Sequence, residues 1–335
     1  MGLMDFRPYF RVTVDGKDIS GVLAPRLVSL RVTDGAGVQS DTVEIRLSDT
    51  NLFQRISEPR AGAEIEVWLG FPLSLSYMGL FVADTIETGG PPDTVTITGT
   101  ASVNGETTSG KTALTDQKKR SWPEGTTIGA MVEKIASEHG LIAMVSESLR
   151  AEALPHIDQI DESDINLLSR IARDFDAIAK PGNGRLIMTR RGESLTASGQ
   201  PLPVVRVDKS SVTEWRYRNS LRERVGRVIA TTQDLEAGQP VEVEAGQGEP
   251  ALRLRRRFPD KVTARKTAES ELKRLGRAGR SLSITMPGNS DIVAEARLSA
   301  SGFRSYIDGE WLVSRATHIL DSGGYRTAIT AEPVE

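Results

Sequence analysis

Regular alternation of apolar and polar residues in short runs constrains the fold of this chain more than any other feature. Between residues 8 and 100, turn-forming sequences separate the runs YFRVTV, RLVSLRV, DTVEIRL and AEIEVWLG. Because strand side chains point alternately to two faces, a period of two predicts half-buried β-strands. The region closes with GLFVADTIETGGPPDTVTITGT, two predicted strands around a Gly-Gly-Pro-Pro turn, and holds no helical period longer than DTNLFQRI. The pattern predicts an antiparallel barrel or sandwich.

The C-terminal part of the chain returns to this pattern. Beyond residue 200, one helix is predicted over residues 261–277, and the predicted strands are VVRVD, SSVTEWRYR, RVGRVIATTQ and PVEVEAG. The closing hairpin begins with GEWL at 309–312 and turns at a Gly-Gly pair, as the hairpin that begins with GLFV at 79–82 does. This similarity favours a duplicated barrel. The alternative, that strand-turn-strand patterns simply look alike, stays open.

The middle of the chain is predicted to be helical. In TTIGAMVEKIASEHG, one face carries apolar residues, Thr126 or Thr127 serves as the cap, and Gly140 ends the helix. A second helix is predicted in DESDINLLSRIARDFDA, capped by Asp161 or Ser163, with a stripe made of Leu168, Ile171, Ala172 and Phe175. AIAKPGNGRLIMTRRG then predicts a hairpin.

These patterns predict a mainly β fold with an α+β insertion. Two tube-like antiparallel β-barrel domains, at residues 1–114 and 201–335, flank a small helical α+β domain at residues 115–200. A length of 335 residues agrees with two or three domains.

Composition limits the kinds of site that the chain can carry. It has no cysteine, which rules out disulfides, thiolate nucleophiles and cysteine metal ligands. A net charge of −3 gives no overall attraction to nucleic acid or an acidic membrane surface. The N-terminus MGLMDFRPYF lacks an export signal, and no stretch approaches the roughly 18 apolar residues of a membrane span. We expect neither Sec export nor membrane insertion.

The segment GETTSGKT at residues 105–112 matches the phosphate-binding pattern G-x-x-x-x-G-K-[ST]. In such a site Gly105 and Gly110 expose backbone amides, Lys111 reaches the outer phosphates and Thr112 ligates magnesium. The loop must also leave a buried parallel strand and open a helix. Here TVTITG alternates like a half-exposed antiparallel strand, and no amphipathic period follows. A polar connecting loop is favoured, and an NTPase is the less favoured alternative.

Histidines and clustered carboxylates are further candidate ligands or catalysts. The three histidines lack metal-binding spacing and are predicted to be structural; they are His139, His156 and His318. The acidic cluster lacks the interleaved glycine and distal glutamate of a calcium loop; it comprises Asp158, Asp161, Glu162 and Asp164. Carboxylates at a helix start are stabilised by free amides, so capping is favoured over catalysis. We predict no catalytic, cofactor-binding or metal-binding residue and no enzyme.

A basic segment from Arg253 to Arg280 holds eleven Arg and Lys against three acidic residues. It is the best candidate for a phosphate-binding face, and nucleic-acid binding is an alternative function. Apart from Phe258 it lacks interleaved aromatic residues, so a solvated or protein-docking face is favoured.

Residues 156–188 carry a resemblance to a known family. HIDQIDESDINLLSRIARDFDAIAKPGNGRLIM is similar to the Q-x-x-E-S-D-x-x-F-L-x-R-x-A motif of phage late control D proteins and of the N-terminal part of type VI secretion spike proteins. The matching residues are Gln159, Glu162, Ser163, Asp164, Leu168, Arg170 and Ala172, and Leu167 replaces the commoner aromatic residue. The segment KRSWPEGTTIGAMVEKIASEHGL and the closing hairpin also resemble this family, so the similarity spans essentially the whole chain.

The resemblance implies a structural baseplate hub of a contractile phage tail or tail-like particle. Such hubs are trimers that join a hexameric tail tube to a trimeric spike, because two tube-like barrels per chain give six in a pseudo-six-fold ring. The implied partners are two further copies, the tail tube protein, a separate spike or needle protein, the tape measure protein and baseplate wedge proteins. DNA passes only as cargo. Assembly is expected in the host cytoplasm, and GETTSGKT falls in the connection after the first barrel.

Overall fold

The computed structural model describes residues 7–37, 41–51, 53–101, 114–182, 184–195, 200–220, 225–233 and 238–334. Over these ranges the chain forms twenty-one strands and five α-helices. Most sheet pairings are antiparallel, so the predicted mainly β class is confirmed. None of the described helices combines the length and hydrophobicity needed to cross a membrane.

The N-terminal strands form a sheet that curls around one core. They are β1 (Tyr9–Val14), β2 (Lys17–Asp18), β3 (Leu27–Gly35), β4 (Thr42–Ser48), β5 (Glu64–Phe71), β6 (Ser74–Gly89) and β7 (Thr94–Ala101), with a short helix α1 (Ser20–Leu23) before β3. The strand order is β3-β4-β7-β6-β5-β1-β2. Val12 of β1 and Val32 of β3 come from opposite ends of this order, yet both are buried in the same cluster. Both strands therefore contribute to one hydrophobic core.

The middle unit contains β8 (Gln117–Trp122), α2 (Ile128–Glu138), β9 (Ile142–Val145), α3 (Glu147–Arg150), β10 (Ile157–Ser163), α4 (Asp164–Asp174), β11 (Ala177–Gly182) and β12 (Arg185–Arg190). The Thr127 hydroxyl accepts a hydrogen bond from the Ala130 amide and caps α2. The Ser163 hydroxyl caps α4 in the same way through Asn166. Both caps were among the predicted residues, and Gly140 follows α2 with a φ of 68°. Leu168 and Ile171 lie in the core as their periodicity predicts.

The C-terminal strands are β13 (Val205–Asp208), β14 (Glu214–Asn219), β15 (Arg227–Gln233), β16 (Pro240–Gly246), β17 (Ala251–Phe258), β18 (Arg280–Pro287), β19 (Arg297–Ser301), β20 (Gly309–Asp321) and β21 (Gly324–Pro333). Helix α5 (Lys261–Ala278) precedes β18. Strands β15, β16 and β17 pair with one another, and with α5 they bury their own cluster around Val228 and Ala264. This insertion between β14 and β18 was not predicted as a separate unit.

Two groups of six strands share one topology. The first repeat has the order β1-β5-β6-β7-β4-β3, and the second repeat has the order β13-β19-β20-β21-β18-β14. Numbered in chain order, the strands correspond as β1 to β13, β3 to β14, β4 to β18, β5 to β19, β6 to β20 and β7 to β21. With this correspondence, the neighbours of each strand are the same in both repeats. The single difference is that β1 and β5 are antiparallel whereas β13 and β19 are parallel.

The register of the two repeats also agrees. Gly79 and Gly309 have φ values of 139° and 133°, which favour glycine. Two residues later, Phe81 lies opposite Ile65 and Ala101 in the first repeat. Trp311 occupies the same place in the second repeat, opposite Leu298 and Pro333. A β-bulge follows in both strands, between Ala83 and Thr85 and between Val313 and Arg315. The duplication inferred from two hairpins thus extends to six strands.

Candidate assembly interface

Strand β20 joins the two repeats into one sheet. Its first part, Gly309–Leu312, pairs with β19, and its second part, Arg315–Asp321, pairs antiparallel with β3 of the first repeat. In this junction Thr317 lies opposite Thr33 and His318 lies opposite Val32. Leu320 and Tyr325 of the second repeat are buried in the core cluster of the first. The two repeats are therefore continuous in both hydrogen bonding and core packing.

A partly buried charged triad fastens the middle unit to this junction. The Lys180 ammonium of β11 donates to Asp34 Oδ1 at 2.7 Å and to Asp41 Oδ1 at 2.8 Å. The Ala294 amide of the second repeat donates to Asp34 Oδ2 at 2.8 Å. Asp34 thus binds groups from two other parts of the chain.

Burial and repulsion between the two carboxylates shift the pKa values of Asp34 and Asp41 in opposite directions. Burial, followed by the charge of Asp34, raises the pKa of Asp41 to about 7. For Asp34, burial opposes ionisation, but Lys180 outweighs it and lowers the pKa. The two carboxylates likewise overcome the effect of burial on Lys180 and raise its pKa. Near neutral pH, Lys180 and Asp34 are charged while Asp41 exchanges its proton.

His318 lies buried at the same junction. Its Nε2 is 3.0 Å from the Ile292 carbonyl oxygen, and its Nδ1 is 3.0 Å from the Tyr325 hydroxyl oxygen. The carbonyl can only accept, so Nε2 carries the proton and Nδ1 accepts. Burial lowers the pKa of His318 and keeps the ring neutral. The geometry fits the structural role predicted for this residue.

Two open strand edges belong to β14 and β6, the counterparts of the junction strands β3 and β20. β14 pairs with β18 on one side, and no described strand pairs with its other side. In β6, residues 85–89 pair with β7 but extend beyond the partner residues of β5. We call these segments the β14 edge (residues 214–219) and the β6 edge (residues 85–89). Thr85, Glu87 and Thr88 are exposed on the β6 edge, as are Arg216 and Arg218 on the β14 edge. Exposed edges are surfaces on which another strand can add.

Two residues of the family motif, Gln159 and Asp164, form a polar network with side chains of β8. Arg120 Nη2 donates to Asp164 Oδ1 at 2.5 Å, and Lys118 Nζ donates to Asp164 Oδ2 at 2.7 Å. Gln159 accepts from Arg120 Nε and donates through Nε2 to Asp164 Oδ1. Burial opposes ionisation of Asp164, but these donors lower its pKa. The network holds β8, β10 and the start of α4 together. Ser163 supplies the hydroxyl that caps α4, and the Asp164 carboxylate accepts hydrogen bonds from β8.

Glu138, His139 and Asp164 place one potential metal-ligand atom each within 4.8 Å of one another. The charge of this group is already balanced, because Lys118 and Arg120 each contact both Glu138 and Asp164. A cation bound here would be repelled by Lys118 and Arg120, which lie at hydrogen-bond distance from the same carboxylates. The donor set therefore fits an ion-pair network better than a metal centre.

The rest of the predicted acidic cluster does not join this network. Asp158 accepts from the Ser121 hydroxyl and lies 3.1 Å from the exposed His156 ring. Glu162 pairs with Arg170 at 2.8 Å, and Asp161 lies 3.4 Å from Lys119. The four carboxylates are thus adjacent in sequence but serve separate contacts.

The basic segment is spread over β17 and α5, and much of its charge is paired within the chain. Its paired members and their partners are Arg253 with Glu242, Arg256 with Asp174, Lys266 with Glu152, Arg274 with Glu271, and Arg277 with Asp176 and Glu332. Arg277 is buried, and its pairs bind α5 to the middle unit and to β21. These pairs neutralise part of the positive charge that a nucleic-acid interface would need. Residues 105–112, the candidate phosphate loop, lie outside the described residues.

Sequence reasoning missed the junction and its triad. Asp34 begins the sequence DGAG, which predicts a turn, and Lys180 stands in a strand with no pattern that marks a partner. Their contact joins residues 146 positions apart. The similarity of the two closing hairpins was the available signal, because it implied that β20 belongs to a second copy of the first fold.

Comparison with known proteins agrees with this architecture. Residues 110–324, more than half of the chain, match the family profile described as phage tail baseplate hub (GPD). The chain belongs to this family. It is a baseplate hub of the phage tail class, as the resemblance implied.

Individual relatives of this hub extend the match to nearly the whole chain. It is 29% identical to a probable baseplate hub protein of Escherichia phage 186, over 97% of this chain and 92% of the relative. Its fold is similar to the 43 kDa tail protein of prophage MuSo2 from Shewanella oneidensis, with a TM-score of 0.73, 15% identity and 98% of each chain covered. A TM-score of 0.57 at 10% identity relates it to the E. coli protein c3393, described as a type VI secretion component similar to T4 tail proteins gp27 and gp5, over 98% of this chain and 76% of that one.

Proposed function

We propose that this hub is a homotrimer that joins a hexameric tail tube to a trimeric spike. The observation that carries the proposal is the shared strand order of the two repeats. Three chains with two repeats each present six similar β units, and a ring of six matches a six-fold tube on one face while keeping three-fold symmetry for a spike on the other. The β3–β20 pairing supports this arrangement, since it already joins two such units side by side.

The partners proposed here are those that the family resemblance implies. The tail tube protein binds one face of the ring, and a separate spike or needle protein binds the other. Tape measure and baseplate wedge proteins are further partners in the particle. The hub works in the baseplate of a virion or tail-like particle after assembly in the host cytoplasm, without membrane insertion, and DNA passes only as cargo. We further propose that it has no enzymatic activity, because the polar clusters described above are balanced by contacts within the chain.

We propose the domain division 1–114, 115–200 and 201–335. Its support is that separate hydrophobic clusters centre on the first repeat, the middle unit and the second repeat, although the first also takes in Leu320 and Tyr325 of the second repeat. The fourth cluster, in the β15–β17 sheet and α5, belongs to an insertion in the third domain.

Sedimentation of the purified full chain, alone and with the tail tube protein, tests the proposed assembly. We expect trimers that bind tube hexamers in a ratio of one trimer to one hexamer. A chain that stays monomeric or dimeric with the tube protein present contradicts the proposal. Electron microscopy of assembled baseplates is the second test, and a hub layer without six similar β units would also overturn it.

A further inference from the structure

The junction between β20 and β3 provides a template for contacts between chains. β6 corresponds to β20, and β14 corresponds to β3, because each pair occupies the same place in the two strand orders. In the junction, β20 of the second repeat pairs with β3 of the first. The corresponding contact, between β6 of a first repeat and β14 of a second repeat, does not occur among the described residues of one chain. Both strands that would make it have an open edge.

The register of this missing contact can be derived from the pairings that are present. Aligning Gly79 with Gly309 makes Thr85 the counterpart of Arg315 and Glu87 the counterpart of Thr317. The pairings of β4 with β7 and of β18 with β21 make Thr42 and Ser281 equivalent. Thr33 pairs with Thr42 and Arg218 pairs with Ser281, so Arg218 is the counterpart of Thr33. Since Thr317 lies opposite Thr33 in the junction, Glu87 should lie opposite Arg218.

We propose that the β6 edge of one chain pairs antiparallel with residues 216–220, which comprise the end of β14 and the residue after it, in a second copy of this chain. Ile86 then lies opposite Asn219, Glu87 opposite Arg218, and Thr88 opposite Tyr217. This contact, the seam, rests on the proposed trimer and specifies how its chains are joined. Three seams and three internal junctions alternate around the ring.

Burial at equivalent positions supports the seam. Within the junction Ala316 and His318 are buried, whereas their counterparts in the β6 edge, Ile86 and Thr88, are half-buried and exposed. Val32 is buried in β3, whereas its counterpart Tyr217 is half-buried. Residues at the same backbone positions are thus more exposed at the two open edges than in the junction. A strand added at the seam would cover them.

The chemistry of the two edges is also complementary. Residues 85–89 and 216–220 contain no proline, so every residue can donate a backbone hydrogen bond. The derived register places an acidic residue, Glu87, opposite a basic one, Arg218. Opposite charges directly across an antiparallel pair are favourable, whereas like charges are not.

Cysteine trapping tests the seam directly, because the natural chain has no cysteine. The test variant is the full chain with Glu87→Cys and Arg218→Cys, oxidised under mild conditions and separated on a non-reducing gel. We expect covalent dimers and trimers, because each chain carries one cysteine for each neighbour. A variant with Thr33→Cys and Thr317→Cys is the internal reference, and it should close a bond within one chain and stay monomeric on the gel.

The matched control carries Glu87→Cys and Arg216→Cys. Arg216 is exposed on the same face as Arg218 but two residues out of register, too far for a disulfide without backbone movement. The seam is supported if the test variant forms disulfide-linked dimers and trimers at least about tenfold more efficiently than the control variant. If the chain sediments as a trimer but the test and control variants are trapped equally or not at all, the seam is wrong and the trimer stands. If the chain neither sediments as a trimer nor is trapped, both proposals fail.

Discussion

The Lys180 ammonium lies 2.7 Å from Asp34 Oδ1, although the two residues are 146 positions apart in the sequence. Lys180 belongs to the middle unit, Asp34 belongs to the first repeat, and the Ala294 amide of the second repeat donates to the same carboxylate. One carboxylate therefore joins three parts of the chain. Because all three parts must be in place to satisfy it, the contact stabilises their relative positions.

Asp41→Asn should remove part of the pH dependence of stability. The folded pKa of about 7 exceeds the ordinary value of 3.8, so between these values the folded state holds a proton that the unfolded state has released. Stability contributed by this group is complete below about pH 4 and falls as pH rises through 7. Asparagine does not titrate, and the variant should gain about 1 to 3 kcal/mol over the natural chain between pH 5 and pH 8.

Thermal unfolding at intervals from pH 5 to pH 8 measures this gain. Glu124→Gln, which changes an exposed carboxylate in a turn, is the control and should shift both ends of the range equally. A difference between Asp41→Asn and the natural chain that is the same at all pH values would show that Asp41 titrates normally.

Lys180→Met should destabilise the chain by about 3 kcal/mol at pH 7, because it leaves two partly buried carboxylates without their cation. Adding Asp34→Asn to Lys180→Met should recover at least half of the loss, since one of those charges is then removed. Urea unfolding of both variants measures the effect. A double variant no more stable than Lys180→Met alone would mean that the triad does not act as an electrostatic unit.

Local patterns in the sequence were sufficient to place most strands and helices. Helix α2 has its predicted face in the core and its predicted cap at Thr127, because these features depend on residues within a few positions of one another. The alternating runs became strands for the same reason. The repeat was visible because Gly79 and Gly309 begin similar hairpins, and glycine is required there by the positive φ.

Long-range contacts could not be predicted in this way. Nothing near Val32 indicates that β3 pairs with β20, since an open strand edge has no sequence signature of its partner. The same holds for Asp164, which begins α4 as the sequence predicts and is also held by Lys118 and Arg120 of β8. Partners of this kind are set by the arrangement of whole elements.

Truncation of the α4 stripe should be costly. Leu168→Ala and Ile171→Ala should each lower the free energy of unfolding by about 2 to 5 kcal/mol, because both side chains are almost fully buried. Arg173→Ala is the matched control on the exposed face of the same helix and should cost less than about 0.5 kcal/mol. Small and equal losses at all three positions would show that α4 packs in a different phase.

Lys111→Ala and Thr112→Ala should leave tail assembly and the activity of the particle unchanged. The reason is the sequence around the loop, where the strand and helix that a nucleotide site requires are not predicted. Isothermal titration with ATP and magnesium, together with counts of assembled particles, measures the outcome. ATP binding by the natural chain that disappears in Lys111→Ala, together with failed assembly, would contradict this prediction.

The middle unit should fold alone, whereas the first repeat should not. All buried members of the middle cluster lie between Leu114 and Met188, so a fragment of residues 114–195 keeps its entire core. The core of the first repeat includes Leu320 and Tyr325 from the far end of the chain, and β3 pairs with β20. A fragment of residues 1–101 therefore loses two core side chains and exposes a strand edge that promotes aggregation. Cooperative thermal unfolding of the 114–195 fragment and aggregation of the 1–101 fragment are the expected results. A soluble, cooperatively folded 1–101 fragment would show that the junction with the second repeat is dispensable for folding the first.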